Sequence, residues 1–146
     1  IHTLHIRMKQ HSHNAAFLAE KFEAAGLRTI YPGLTSHPGH QLLTSMMNEQ
    51  FGYGGMIAID LGTAEKASEF MEDMEANDVG YLAVSLGYFK TLFSNLGKST
   101  SSEVPDDVQK RMGLSEGLVR YSVGLDNDIE RSWLKIQQSL KKVGIH

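Results

Sequence analysis

Cysteine is absent from the 146 residues of this chain, which excludes disulfides, thiolate metal sites and a cysteine nucleophile. A dense basic run is missing as well. Lys and Arg number 14 against 17 Asp and Glu, a formal net charge of -3, so nothing is concentrated to meet a phosphate backbone and a nucleic-acid partner is not expected. No apolar run reaches the roughly 20 residues of a membrane helix, and the N-terminus has no apolar signal core. The expectation is a cytoplasmic chain without a membrane partner. Hydrophobic residues at 41% and charged residues at 21% are ordinary globular usage and argue against disorder, and the length suits one domain with a real core.

Apolar periodicity sets out the elements. Leu4, Met8, Ala15, Leu18, Phe22 and Ala25 recur at helical spacing up to Gly26, which predicts one long helix over 3–25 with a glycine cap. Ile1 and His2 enter that pattern without an N-cap, as if the helix began further upstream. His2, His5, His11 and His13 lie along the helix. A zinc site needs three or four converging ligands, so they are read as a polar helix face and no metal is expected. Leu27 to Tyr31 reads as a short strand ended by Pro32-Gly33, and His37-Pro38-Gly39-His40 opens a short helix to about Met47. Gly52-Tyr53-Gly54-Gly55 precedes Met56-Ile57-Ala58-Ile59-Asp60-Leu61, whose alternation predicts a strand with one buried face. These glycines precede a strand rather than a helix, so they suit a turn or close packing better than a phosphate cradle.

Thr63 caps a helix in which Ala67, Phe70, Met71 and Met74 form an apolar stripe. Tyr81-Leu82-Ala83-Val84-Ser85-Leu86-Gly87 reads as a buried strand that ends in a hydroxyl and a glycine. Gly97-Lys98-Ser99-Thr100 resembles the end of a phosphate-binding loop, but Leu92 stands at the place of its first glycine, which excludes that motif. Ser99 to Ser102 is a polar loop, followed by a short helix around Asp106 and Asp107 that ends at Gly113. The last helix keeps Ile129, Trp133, Ile136, Leu140 and Val143 on one stripe, with Asp126 and Asp128 before it and Lys141 and Lys142 at its far end.

Gly117-Leu118-Val119-Arg120-Tyr121-Ser122-Val123-Gly124 stands at the centre of this plan. Strand alternation puts Leu118, Arg120 and Ser122 on one face and Val119, Tyr121 and Val123 on the other. A guanidinium set on a rigid sheet suits a carboxylate or a phosphate. An edge-strand arginine in a surface ion pair is the plainer alternative. Ser85, at the exit of its strand beside backbone donors, could join Arg120 on an anion, or it could only close a turn. The fold expected is α+β, with a mainly antiparallel sheet of about four strands, near 27–31, 55–61, 81–86 and 117–124. One sheet face is covered by the long first helix, the 63–75 helix and the last helix.

Ala83-Val84-Ser85-Leu86-Gly87 and Gly117 to Gly124 together resemble the C-terminal small domain of the pyridoxal-phosphate enzymes of cysteine and methionine metabolism, which have fold type I. Arg7-Met8 with His11-Ser12-His13-Asn14-Ala15 resembles that family's interdomain helix, here 1–26. Tyr31-Pro32-Gly33-Leu34 with Ser36-His37-Pro38 resembles its next loop, and Phe51-Gly52-Tyr53-Gly54-Gly55-Met56 its glycine-led strand. The resemblance covers residues 1–146, and within the family the methionine γ-lyases are most similar, with cystathionine γ-lyases, β-lyases and γ-synthases as alternatives. It implies that Arg120 clamps the α-carboxylate of a sulfur amino-acid substrate, that Ser85 and the main chain near Leu86 help to hold it, and that Val84 and Thr100 border the site. It also implies pyridoxal phosphate as cofactor of the complete enzyme, anchored on a lysine of a Ser-x-Thr-Lys motif in a larger N-terminal domain, and assembly as a homo-tetramer. No lysine in this chain, Lys90 and Lys98 included, stands in such a motif. No cofactor is therefore expected covalently bound to this chain, and no turnover by it alone. The reaction implied for the whole enzyme is elimination of sulfur as a thiol, leaving a 2-oxo acid and ammonia. Tyr88-Phe89-Lys90 replaces a more usual Gly-containing turn and leaves the substrate side chain open. A stand-alone binding or interaction domain is the alternative of a different class.

Overall fold

In the computed structural model, residues 2–96, 106–111, 113 and 115–146 are described. Helix α1 runs Leu4–Ala24, and Gly26 takes a left-handed conformation (φ 78°) that lets Leu27 N–H return to the Phe22 carbonyl, closing the helix end. Strand β1 is Arg28–Ile30, helix α2 His40–Met46 and strand β2 Met56–Asp60. Helix α3, Ala64–Ala76, starts at Thr63, whose hydroxyl accepts from Lys66 N–H at 3.3 Å. Strands β3 (Gly80–Leu82) and β4 (Thr91–Asn95), the short helix α4 (Asp106–Arg111), strand β5 (Leu118–Ser122) and helix α5 (Ile129–Lys142) complete the order.

The sheet runs β1-β2-β5-β4-β3, antiparallel except for the β3–β4 pair. Its core face carries Ile57 and Ile59 of β2, Phe93 of β4 and Val119 and Tyr121 of β5. Against it lie Leu18 and Phe22 of α1, Phe70 and Met74 of α3, and Trp133, Ile136 and Leu140 of α5, all buried. Phe22 is the hub: its ring meets those of Tyr121 and Trp133 edge-on, each at 5.5 Å between centroids. The expected α+β fold, with α1, α3 and α5 on one sheet face, is thus present.

Two strand assignments change. The sheet has five strands, because Thr91–Asn95 pairs with both neighbours. Hydropathy hides β4: Thr91, Ser94 and Asn95 are as buried as Leu92 and Phe93. Fixed backbone partners make that possible for two of them, since Thr91 Oγ1 accepts from Gly124 N–H at 3.0 Å and Asn95 Nδ2 donates to the Glu116 carbonyl at 2.9 Å; the Ser94 hydroxyl is buried without a partner. The run from Tyr81 to Leu86, expected as a buried strand, pairs only over Gly80–Leu82 and lies at the sheet edge; most of its side chains, Val84, Ser85 and Leu86 among them, are exposed. The apolar run there reflects surface rather than core.

Trp133→Ala should cost about 3–5 kcal/mol, because a large core ring is truncated beside Phe22; denaturant titration measures it. Tyr31 is buried with its hydroxyl donating to the Gly54 carbonyl at 3.0 Å. Burial, and secondarily the neighbouring Tyr53, push its pKa up to about 12. The unfolded chain, with an ordinary tyrosine near 10, therefore loses this proton first. The contribution of Tyr31 is complete below about pH 10 and is lost as pH rises toward about 12. Unfolding free energies over that range should fall less steeply in Tyr31→Phe than in the parent chain.

Candidate functional site

β5 is the central strand, with Ala58 of β2 and Ser94 of β4 in register with Arg120. The edge-strand alternative is thereby removed. Val119, Tyr121 and Val123 face the helices, so Leu118, Arg120 and Ser122 share the other face, as alternation requires. Its cross-strand neighbours Ala58 and Ser94 are small, and Arg120 is half-buried. Its Nη2 donates to the Ser85 carbonyl at 3.1 Å, while Nε–H is buried without a partner.

Ser85 and Leu86 lie in the irregular link 83–90 that joins β3 to β4. Gly87 in this link has φ 68°, a conformation that favours glycine. Its N–H donates to Ser122 Oγ at 3.1 Å, and its carbonyl accepts from Arg7 Nη1 at 3.3 Å. The Ser85-Leu86-Gly87 segment is therefore pinned from α1 and from β5 at once. It is the carbonyl of Ser85 that meets Arg120; no hydrogen bond among the described residues uses the Ser85 hydroxyl or the Leu86 N–H. Val84 is exposed in the same link, whereas Thr100 lies outside the described residues.

A stripe on α1 at positions i, i+3, i+4 and i+7 forms the second wall. Arg7 reaches Gly87. Gln10 Nε2 donates to Asn14 Oδ1 at 2.9 Å and to the Asp126 carbonyl at 3.3 Å. His11 Nδ1 lies 2.6 Å from the Val123 carbonyl, and Asn14 Nδ2 donates to the carbonyls of Gly124 (3.0 Å) and Asp126 (2.8 Å). A carbonyl oxygen can only accept, so Nδ1 of His11 carries the proton; its Nε2 is buried without a partner. His11, Ser12 and Asn14 are buried, so the polar helix face read for the α1 histidines is turned inward at His11. The signal available in the sequence was Arg7, Gln10, His11 and Asn14 at helical spacing, interrupting an apolar stripe. His11, Met8, Gly55, Leu86 and Ser122 line a cavity of about 80 Å³ beside the pinned segment.

Neither Arg7 nor Arg120 has a carboxylate within 4 Å among the described residues, although Arg28, Lys90, Arg111 and Lys142 all do. The surface ion pair considered for Arg120 is therefore not formed there. Two guanidinium groups, each with a buried Nε–H lacking a partner, converge on one exposed segment. Such an arrangement can accept an anion chemically, because each guanidinium has a donor left over and no carboxylate of the described residues competes for it. The glycines at 52–55 pack under the same region: Ser12 Oγ accepts from Gly54 N–H at 2.9 Å and donates to the Phe51 carbonyl at 2.5 Å. Close packing is visible there, since a Cβ at Gly52 would stand 3.1 Å from Ser12 Cβ and one at Gly55 3.0 Å from His11 Cβ. Among the described residues no three His, Asp or Glu side chains come together in a metal-binding cluster. No helix among them is long and apolar enough to cross a membrane.

Strand and helix thus define an α+β fold with a five-stranded, mostly antiparallel sheet and helices packed on its core face. The chain belongs to the Cys/Met metabolism PLP-dependent enzyme family, which it matches over residues 1–140. It is 43% identical over 141 residues to the methionine gamma-lyase of Arabidopsis thaliana, covering 96% of this chain and 32% of that protein. To a cystathionine beta-lyase of Lactococcus lactis subsp. cremoris it is 35% identical over 144 residues, covering 97% and 36%. The crystal structure of cystathionine gamma-lyase from yeast shares its fold with a TM-score of 0.86 at 32% identity, covering 97% of this chain and 36% of that one. The chain spans about a third of the length of the curated relatives it matches.

A Schiff-base lysine must be able to lose its proton; Lys90, Lys135 and Lys142 are each engaged otherwise, since Lys90 is bonded to Asp78, which raises its pKa, Lys135 donates to the Asn77 carbonyl and Lys142 is bonded to Asp73.

The wall depends on a close approach at Gly124. A Cβ there would stand 2.5 Å from both the Phe89 carbonyl oxygen and the Thr91 N. Gly124→Ala should push the 89–91 backbone away from β5 and destabilise the chain by about 1–3 kcal/mol, measurable as a lower denaturant midpoint.

Proposed function

We propose that the chain is the C-terminal, substrate-carboxylate-binding domain of a pyridoxal-phosphate-dependent carbon–sulfur lyase of the methionine γ-lyase type. The observation that carries this is Arg120, a guanidinium on the central strand with a buried unpartnered Nε–H, set beside the unused hydroxyl of Ser85 and N–H of Leu86. A carboxylate has two oxygens and needs donors from two directions. The Arg120 fork and the Ser85-Leu86 segment supply them. In this reading the cofactor and its lysine belong to a larger N-terminal domain. The cofactor supplies the electron sink for breaking the bond to the substrate α-carbon. The residues here fix the amino acid so that this bond is presented in a productive direction.

The exposed apolar side chains Tyr81, Leu82, Val84, Leu86, Tyr88 and Phe89 border the same segment, and the proposal places the N-terminal domain over this side of the sheet. The substrate is methionine or a related sulfur amino acid, and the products are a thiol, a 2-oxo acid and ammonia. The 43% identity to a methionine γ-lyase favours that reaction over cystathionine cleavage or γ-synthesis.

In the complete enzyme, Arg120→Lys keeps the charge and loses the fork. kcat/KM for amino-acid substrates should fall by about 100-fold or more, with cofactor absorbance and melting temperature close to the parent's. Arg120→Ala should lose more. A structural ion pair would give the reverse, a lowered melting temperature with normal kinetics per folded molecule, and unaltered kinetics in Arg120→Lys would remove the residue from the site.

A further inference from the structure

We infer that Arg7, on α1, is a positioning residue for the substrate carboxylate: it holds the Ser85-Leu86-Gly87 segment where Arg120 can share a ligand with it. This rests on the reading of Arg120 as the carboxylate clamp. The segment has no strand partner of its own, and its side chains are exposed, so its place is set by three hydrogen bonds. Arg120 Nη2 takes the Ser85 carbonyl at 3.1 Å, Ser122 Oγ takes the Gly87 N–H at 3.1 Å, and Arg7 Nη1 takes the Gly87 carbonyl at 3.3 Å.

These bonds differ in what they do when a carboxylate arrives. The incoming anion competes with the Ser85 carbonyl for the Arg120 guanidinium, so that bond weakens when the segment has to be in register. The Ser122 and Arg7 bonds lie on the other side of Leu86 and are not contested. They hold both peptide groups of Gly87, at a residue whose left-handed conformation would otherwise be one of several open to glycine. Leu86 N–H and the Ser85 hydroxyl are thus presented before binding rather than ordered by it, which is preorganisation of the kind that lowers the cost of association.

Arg7 is suited to this by its place. It stands one turn before His11, whose ring is fixed on the Val123 carbonyl, and two turns before Asn14, fixed on Gly124 and Asp126. The helix face from which Arg7 projects is therefore registered to the end of β5, the strand that carries Arg120. One helix–strand contact sets both guanidinium groups relative to each other. Arg7 has no carboxylate partner among the described residues, so its hydrogen bond to Gly87 is not incidental to an ion pair.

The test uses the full-length holoenzyme. Arg7→Ala should raise KM for the amino-acid substrate about tenfold while kcat changes much less, and should weaken a competitive inhibitor carrying the α-carboxylate by a similar factor. Binding of the corresponding amine, which lacks the carboxylate, should be unaffected. Arg7→Lys, which retains a donor and charge, should recover most of the loss. Ser122→Ala, which releases the other peptide group of Gly87, should show the same pattern and stands in if Arg7→Ala folds poorly. Equal weakening of acid and amine, or unchanged KM in both Arg7→Ala and Ser122→Ala while Arg120→Lys is impaired, overturns the role of Arg7 and leaves the clamp standing. Unaltered kinetics in Arg120→Lys overturns the clamp and this inference with it.

Discussion

Everything at the candidate site hangs on the way α1 is fastened to the residues that follow β5. A helix laid across a sheet edge can slide or roll when only apolar contacts hold it, since dispersion and burial have no direction. Here four polar side chains at helical spacing meet backbone carbonyls of residues 87, 123, 124 and 126. Hydrogen bonds impose distance and angle, so they convert a greasy contact into a registered one. The cost of burying His11 and Asn14 is offset because each meets a main-chain carbonyl that would itself be costly to leave unsatisfied after the strand ends.

The same contacts explain why the molecule can keep guanidinium groups unpaired. A cation beside a carboxylate of its own chain is already neutralised, and a ligand must then displace that partner. Several described acids are engaged elsewhere: Asp60 with Arg28 and Ser115, Asp73 with Lys142 and Ser139, Asp78 with Lys90, and Asp126 with Ser132. Of these, Asp73 and Asp78 have their carboxyl pKa lowered, chiefly by hydrogen bonds from their lysine partners. Among the described residues, ion pairs thus form at the sheet edges and helix surfaces, while Arg7 and Arg120 keep no carboxylate partner.

The sequence made β2, β5, α3 and α5 legible because their side chains repeat with the period of the element and bury the repeating face. Arg120 was legible as a placed cation for the same reason, since the alternation around it is clean. β4 escaped because three of its five residues are polar, and two of them, Thr91 and Asn95, are satisfied by backbone partners, a pairing that a hydropathy pattern does not contain. The link after β3 misled in the other direction: Val84, Leu86 and Phe89 are apolar and stand in solvent, so hydrophobicity there marks a surface, not a core. His11 was visible as a residue but not as a buried one, because its partner is a main-chain oxygen 112 positions away. Gly87 became informative only once its φ and both of its peptide partners were known.

β3 and β4 run side by side in the same direction, yet residues 83–90 alone join them. Parallel neighbours are usually joined by a dozen or more residues, with a helix to carry the chain back. Eight residues without a helix leave the return path little slack, so it stays close to the sheet and crosses the face that bears Arg120 and Ser122. Length in this link is for that reason a chemical variable. A residue added or removed there would leave all five strands able to pair while moving the Ser85 carbonyl off the guanidinium. Recognition and folding, which share most of their residues in this domain, come apart at this one short crossing.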